Sequence, residues 1–380
     1  MELGIIKQIR EIRGEENPDI VTLSGNRYQI AVREEEAMAA YLFSTPIRRA
    51  NSGMLVDCRW HTRGEYKEAY GSTSDSVIRV TQNRILLDKP KRCFTLAFDP
   101  CFATFLREGR EGQLVSPRMR IRATTNGVMV CVKLLAGQTF TARLISDTHS
   151  EEVRKNSQYL SFMDRRFKPE MTISSLFFRT EDNVIRPVKL ISEKLEDDVY
   201  HLEWKPETTE GGTLFFEYNL YEDKLIQDTT VSDFLAFENN AFGSVAFVGH
   251  TPEYGEQRLY SKLMLNYMSE HLFRVIQSVR LFIPMLGVCP EIEAYRMEER
   301  FCSFGSTWEN KIPYGKDRLP VIQRENYLMI DLSDYVGRRG WIRYTYGMLL
   351  KTAPETIGYG VLAAGDSYAF PTILEVRFLR

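Results

Sequence analysis

Arg118-Met119-Arg120-Ile121-Arg122-Ala123-Thr124-Thr125-Asn126-Gly127-Val128-Met129-Val130-Cys131-Val132-Lys133-Leu134-Leu135 is the stretch that decides the fold class. Val128, Val130, Val132 and Leu134 form a run dense enough for a strand covered on both faces. Thr125-Asn126-Gly127 ahead of it is a turn signal, because Asn and Gly tolerate positive φ. Residues 118–123 and 128–135 therefore read as the two arms of a hairpin.

The same two-residue period recurs outward in both directions. Upstream, Tyr28, Ile30 and Val32 alternate with Arg27, Gln29 and Ala31. Downstream of Lys168-Pro169, strands are predicted over 173–179, 184–191, 199–204 and 213–221. They are separated by Glu181-Asp182-Asn183, Glu196-Asp197-Asp198 and Glu210-Gly211-Gly212. Tyr200, Leu202 and Trp204 share one face of the third of these. Near the end, Ile342, Tyr344, Tyr346, Met348 and Leu350 line one strand face. Leu374, Val376 and Phe378 line another, with Glu375 and Arg377 facing away. Helical spacing is confined to Ile5, Ile6, Ile9 and Ile12, and to a second stretch over 34–42.

The fold class expected is therefore mainly β, with two or three antiparallel sandwich or jelly-roll-like modules and few short helices. A chain of 380 residues is too long for one ordinary core. The divisions expected are a β-rich domain over 1–165, a small meander or sandwich over 166–224 packed on a neighbour, and a β-sandwich over 225–380. The polar stretch 147–158 reads as a linker.

Composition narrows the function. Hydrophobic residues make up 43% and charged residues 26%, which is globular and not disordered. The 49 basic and 51 acidic residues are interspersed, so there is no basic field for a phosphate backbone, and nucleic acid is not an expected partner. No apolar run could span a bilayer, and the first residues hold no apolar segment of signal-peptide length. The expectation is a protein made in the cytoplasm without a signal peptide. Cys58, Cys93, Cys101, Cys131, Cys289 and Cys302 fall at irregular spacings and read as reduced, mostly core thiols.

From about residue 225 onward the chain resembles the DNRLRE-type β-sandwich modules of bacterial and archaeal surface proteins. Asp228-Thr229-Thr230-Val231 is similar to that family's opening strand, and Asn240-Ala241-Phe242-Gly243 before Phe247-Val248-Gly249 to its turn and next strand. Arg258-Leu259-Tyr260-Ser261-Lys262-Leu263 resembles its Arg-rich strand, and Val279-Arg280-Leu281-Phe282-Ile283 the apolar one that follows. Thr307-Trp308, residues 330–336, Trp341 with 346–351, and the strand from Phe370 complete the order. Here Asp331-Leu332-Ser333 stands where the family has Asp-Val-Thr. Residues 258–273 also fit a helix, through Leu259, Leu263 and Tyr267, but the strand reading is preferred. The resemblance implies a jelly-roll-like sandwich with a structural, adhesive or glycan-contacting role.

Motifs for chemistry are sparse. Cys58 and His61 lack the second ligand pair that zinc needs, so no metal and no cofactor are expected. Asp233 and Asp366 offer hard oxygens for calcium without an Asp-rich loop around them. Gly365-Asp366-Ser367 opens like one serine-hydrolase motif but precedes a strand rather than a helix. Asp57, Glu65, Glu68 and Asp75 lie among Trp60, Tyr66 and Tyr70, and are the acid candidates for a glycosidase or lyase. Tyr254, Trp308, Tyr314 and Tyr368 are the candidates for stacking on sugar faces. The leading expectation is a non-catalytic structural or interaction protein of a virion, tail or cell-surface assembly, partnered by other assembly proteins or by itself. The alternatives are a glycan-binding protein, with polysaccharide as partner, and the glycosidase.

Overall fold

Met119–Ala123 and Gly127–Leu134 pair antiparallel with Ala123 opposite Val128, so the hairpin forms where the sequence puts it. Its turn works for a different reason from the one expected. Neither Asn126 nor Gly127 takes a positive φ. A Cβ on Gly127 would instead lie 2.2 Å from the Tyr218 carbonyl oxygen, so glycine is required by close approach of the neighbouring strand. Asn126 is fully buried, and its Nδ2 donates to the Leu220 carbonyl at 2.7 Å. The computed structural model describes residues 4–21, 26–73, 75–103, 106–109, 112–147, 152–264, 275–336 and 346–379.

The chain divides into two units. The first comprises Arg48–Glu222 with Phe242–Ser244. In its larger sheet, Gly127–Leu134 lies between Met119–Ala123 and Gly212–Leu220, and Pro169–Thr180, Tyr159–Met163 and Glu152–Lys155 continue outward from the latter. The second sheet runs Val188–Glu196, Val199–Pro206, Phe140–Ser146, Arg92–Phe98, Arg84–Lys89, Val77–Val80, Tyr66–Tyr70 and His61–Arg63. One apolar core takes Val130, Phe216 and Ile173 from the first sheet and Leu96, Phe140 and Leu202 from the second, which makes the unit a β-sandwich. At its centre the Trp204 ring stacks on Phe216 at 4.6 Å and Phe140 lies 5.4 Å from Trp204. Ring pairs of this kind add about 0.5–1.5 kcal/mol each beyond the area they bury.

Residues 166–224 are not a module of their own. Pro169–Thr180 and Gly212–Leu220 belong to the larger sheet, while Val188–Glu196 and Val199–Pro206 belong to the other. The chain changes sheet at Pro187: Ile185–Arg186 still pairs with Pro169–Thr180, and Val188 begins the next strand across the core. Proline has no N–H to continue a ladder, so it suits a crossing point. The expected linker is also different, since Glu152–Lys155 is a strand paired with Tyr159–Met163. Residues 148–151 of that stretch lie outside the described residues.

The second unit comprises Glu2–Ile47, Asp223–Ala241 and Val245–Arg380. One sheet runs Ile20–Val21, Gln29–Arg33, Ala37–Phe43, Ile373–Leu379, Ile276–Pro284, Tyr327–Asp331 and Val321–Gln323. The other contains Tyr314–Leu319, Ile292–Met297, Met348–Thr352, Gly255–Leu263, Val245–Thr251 and Gly358–Ala363, with Ile226–Ser232 also pairing with Gly255–Leu263. Leu42, Leu281, Leu374 and Val376 meet Val248, Leu259, Ala294 and Leu350 in one core. Mainly β sandwiches with few short helices are what the periodicity predicts; the two α-helices among the described residues are Gly4–Arg13, which was expected, and Ser333–Val336, which was not. Gly255–Leu263 settles the strand-or-helix question over the described part of 258–273, and 265–273 lies outside it. Trp341, Ile342 and Tyr344 also lie outside the described residues.

The C-terminal sandwich therefore does not begin near residue 225, because Ala37–Phe43 inserts between Gln29–Arg33 and Ile373–Leu379. Residues 34–42 were expected to be helical. Ala39, Ala40, Tyr41, Leu42 and Phe43 are all fully buried, and a strand buried on both faces shows no alternation to distinguish it from a helix. The helix predicted at the start does form, over Gly4–Arg13, and buries Ile5, Ile9 and Ile12. All six cysteines are free thiols; Cys101 and Cys302 are exposed and the other four are half-buried, so none is a wholly buried core residue.

Candidate functional site

Strand alternation gives the sheet containing Gly255–Leu263 a second, outward face. Leu259, Ala294 and Leu350 point into the core, so Arg258, Tyr260, Glu293, Tyr295 and Lys351 point away from it. A register shift between Tyr295 and Met297 sets Arg318 opposite Tyr295 and Tyr314 opposite Met297. Beneath these groups Val231, Tyr260, Met297, Phe301 and Leu349 form a small separate apolar cluster, with Trp308 and Tyr314 packed on it. Tyr260 Oη donates to the Ile312 carbonyl at 3.2 Å, which anchors the loop carrying Trp308.

Rings and cations alternate across this face. The Lys311 ammonium is 4.6 Å from the Trp308 ring centroid, and the Arg258 guanidinium is 4.9 Å from Trp308 and 5.9 Å from Tyr314. Tyr314 and Tyr295 meet edge to face at 5.0 Å. Lys351 Nζ lies 5.6 Å from Tyr295 and 5.8 Å from Tyr314, and Arg318 stands 5.5 Å from Tyr295. Cation–π contacts of this sort contribute about 0.5–1 kcal/mol at exposed sites and more when dry.

Two carboxylates organise the array. Glu256 accepts from Arg258 Nε at 2.7 Å, and Glu293 accepts from Tyr295 Oη at 2.8 Å and from Arg318 at 2.8 Å. Burial disfavours charge on Arg258 and is the largest single effect, but the Glu256 hydrogen bond and charge, with Tyr260 and Tyr314, together hold the guanidinium above its ordinary pKa. Burial, reinforced by Glu293, also raises the Tyr295 phenol. A groove of about 330 Å³ shares Glu293 and Arg318 as walls and continues to Val321 and Gln323.

Trp308 and Tyr314 are thus brought together, through Arg258. Tyr254 and Tyr368 lie apart from them. Tyr254 packs edge-on to Tyr359 at 5.9 Å, in the turn between Val245–Thr251 and Gly255–Leu263. Tyr368 packs under Lys224, whose Nζ is 3.5 Å from its ring, and so belongs to a different cluster from Trp308 and Tyr314. Sequence reading missed Arg258, Tyr295, Arg318 and Lys351 as members. Their signal was the outward alternation of strands whose inward positions are apolar, which becomes specific only once the register is known.

A second polar cluster lies in the interior of the same unit. Asp228 Oδ2 accepts from the Gly365 amide at 2.6 Å, while its Oδ1 is buried without a hydrogen-bond partner. Lys224 Nζ stands 3.8 Å from Asp366 Oδ1. Burial, then the neighbouring charge of Asp366, pushes the Asp228 carboxyl up to about 8. Ser367 of the Gly-Asp-Ser motif is fully buried in a turn, and its Oγ accepts from the Phe370 amide.

Of the acid candidates only Glu68 lies in a strand, near the edge of the eight-stranded sheet in the first unit; Glu65 and Asp75 are in turns beside it and Asp57 precedes it in the chain. Glu68 is buried and accepts from Arg79 Nε at 2.9 Å, with Arg63 Nε at 3.4 Å. Asp57 pairs with Arg59 at 3.2 Å, Glu65 is exposed, and Asp75 is exposed in a turn at φ 64°. Trp60 of the same stretch is core. Among the described residues no three His, Cys, Asp or Glu side chains converge as metal ligands.

No protein-family model matches the sequence. No curated protein matches it either. Among solved structures, the chain is similar to the N-terminal domain of the Streptococcus gordonii adhesin Sgo0707, at 7% identity and a TM-score of 0.18, over 92% of this chain and 83% of that one. A TM-score of that size carries no argument about fold or role. No described helix is long and apolar enough to cross a membrane.

Proposed function

We infer that the chain is a non-catalytic binding protein of a surface or particle assembly, and that the outward face of its C-terminal sandwich contacts carbohydrate. The observation that carries this is the convergence of Trp308, Tyr314 and Tyr295 with Arg258, Lys351 and Arg318 on one sheet face. Flat rings offer the apolar faces that pyranose C–H groups pack on, and the charged groups between them reach ring hydroxyls and substituents. A rigid sheet holds such groups in place without an ordering cost at binding. Membership of the DNRLRE-type modules is part of the same proposal, supported by strands at Ile226–Ser232, Val245–Thr251, Gly255–Leu263 and Ile276–Pro284 in the order that the resemblance requires.

The test is a polysaccharide array probed with the folded chain. Binding to at least one glycan is expected, reduced at least ten-fold by Trp308→Ala or Tyr314→Ala with melting behaviour retained. A blank array would remove the carbohydrate reading. Sugar release that depends on Asp57, Glu65, Glu68 or Asp75 would replace it with the glycosidase.

A further inference from the structure

Lys351 is buried to 7% exposure, yet among the described residues its ammonium has no carboxylate partner. The residue directly across the ladder is Glu293, the natural counter-ion for it. Both Glu293 oxygens are already engaged, Oε1 by Arg318 and Oε2 by Tyr295 Oη. Lys351 is left with two tyrosine rings and no anion, in a position where partial desolvation strengthens any charge that reaches it. On the same face Lys311 also has no ion pair among the described residues and lies over Trp308. The rings fix where a sugar packs, and the two lysines fix where negative charge on that sugar is needed.

We propose that this face binds an acidic saccharide, a pyranose bearing a carboxylate or sulfate, with Lys351 receiving the anionic group between Tyr295 and Tyr314. The proposal rests on the carbohydrate reading above and adds its charge. An ammonium is a compact donor suited to either a carboxylate or a sulfate oxygen, whereas the two arginines are oriented by Glu256 and Glu293. Net charge does not produce such a preference by itself, since the formal charge of the chain is -2.

The experiment compares matched probes by calorimetry: polygalacturonate against its methyl ester, and dextran sulfate against dextran. At least one anionic member is expected to bind ten-fold or more tighter than its neutral twin, and which pair shows it separates carboxylate from sulfate. Lys351→Met, which keeps the length and apolar stem of the side chain, is expected to abolish that difference. Lys351→Arg is expected to keep most of it, and so reports on charge if the Met variant is poorly folded. Equal binding of both members of each pair, or a preference that survives in Lys351→Met, would overturn the proposal while leaving glycan binding in place. Failure to bind any of the four, with a blank array, would remove the carbohydrate reading itself. Equal affinity for duplex DNA would reduce the face to a charge patch and overturn the saccharide.

Discussion

Tyr41 Oη donates a hydrogen bond of 2.7 Å to Glu375 Oε2, joining residues 334 positions apart. Arg13 of the N-terminal helix donates to the same phenol at 3.1 Å and pairs with Glu34, which Arg377 also engages. Glu375 and Arg377 face away from the core as the sequence predicts, but Glu375 is buried in this network while Arg377 is partly exposed. Burial and the Glu375 charge raise the Tyr41 phenol, which favours its role as donor to Glu375. Tyr41→Phe leaves a buried Glu375 oxygen without its donor and is expected to cost about 1–3 kcal/mol in denaturant unfolding. A fragment spanning 223–380 loses the Ala37–Phe43 strand beside Ile373–Leu379 and is expected to show no cooperative melt.

Gly127 and Gly137 form a contrasting pair. A Cβ at Gly127 meets backbone and side-chain oxygens at 2.2 and 2.5 Å, while at Gly137 it meets nothing within 4 Å but sits at φ +69°. Gly127→Ala is expected near the top of the about 1–3 kcal/mol range for overpacking. Gly137→Ala is expected to cost about 1–2 kcal/mol, from the left-handed backbone alone. Equal melting temperatures for the two variants and the parent would contradict both assignments.

The Asp228 carboxyl, ordinarily near 3.8, is raised to about 8 in the folded chain. The folded state thus binds a proton that the unfolded state has released between those values, and the stability this gives is full below about pH 4 and lost as pH rises toward 8. The slope from one such group is roughly 1.4 kcal/mol per pH unit. Asp228→Asn carries no such proton. Stability curves for the parent and the variant are expected to converge in acid and to separate in the variant's favour from pH 5 to 8.

Thiol reactivity separates the cysteines. Burial pushes Cys58 up to about 11 and Cys131 up to about 12, whereas Cys101 and Cys302 are exposed. A thiol-specific reagent at pH 8 is expected to modify Cys101 and Cys302 in the native chain. Cys58 and Cys131 should react only after denaturation, since the thiolate is the reacting form. Rapid native labelling at Cys131, read by peptide mass, would contradict the raised thiol.

Local patterns proved legible where one face of a strand is covered and the other is not. Leu374, Val376 and Phe378, or Tyr200, Leu202 and Trp204, announce themselves by alternation, and each set lies in a core. Tyr41 and its neighbours did not, because burial on both sides erases the period. Domain boundaries failed for a related reason. Which sheet a strand joins depends on partners such as Ala37–Phe43 with Ile373–Leu379, and nothing local encodes a pairing across such a separation. The candidate site shows the same split. Trp308 and Tyr314 were visible as ring types, but Lys351 acquires its meaning only from Glu293 opposite it being already engaged.

The pairing of Ala37–Phe43 with Ile373–Leu379 also bears on biosynthesis. At about 5–20 residues per second, the earlier strand emerges from the ribosome roughly 15–70 seconds before the later one exists. During that interval residues 48–222 can complete their own sheets, while the N-terminal strands wait as an open hydrophobic edge of the kind that recruits chaperones or neighbouring copies. Completion of this sheet therefore has to wait until residues 373–379 have been made.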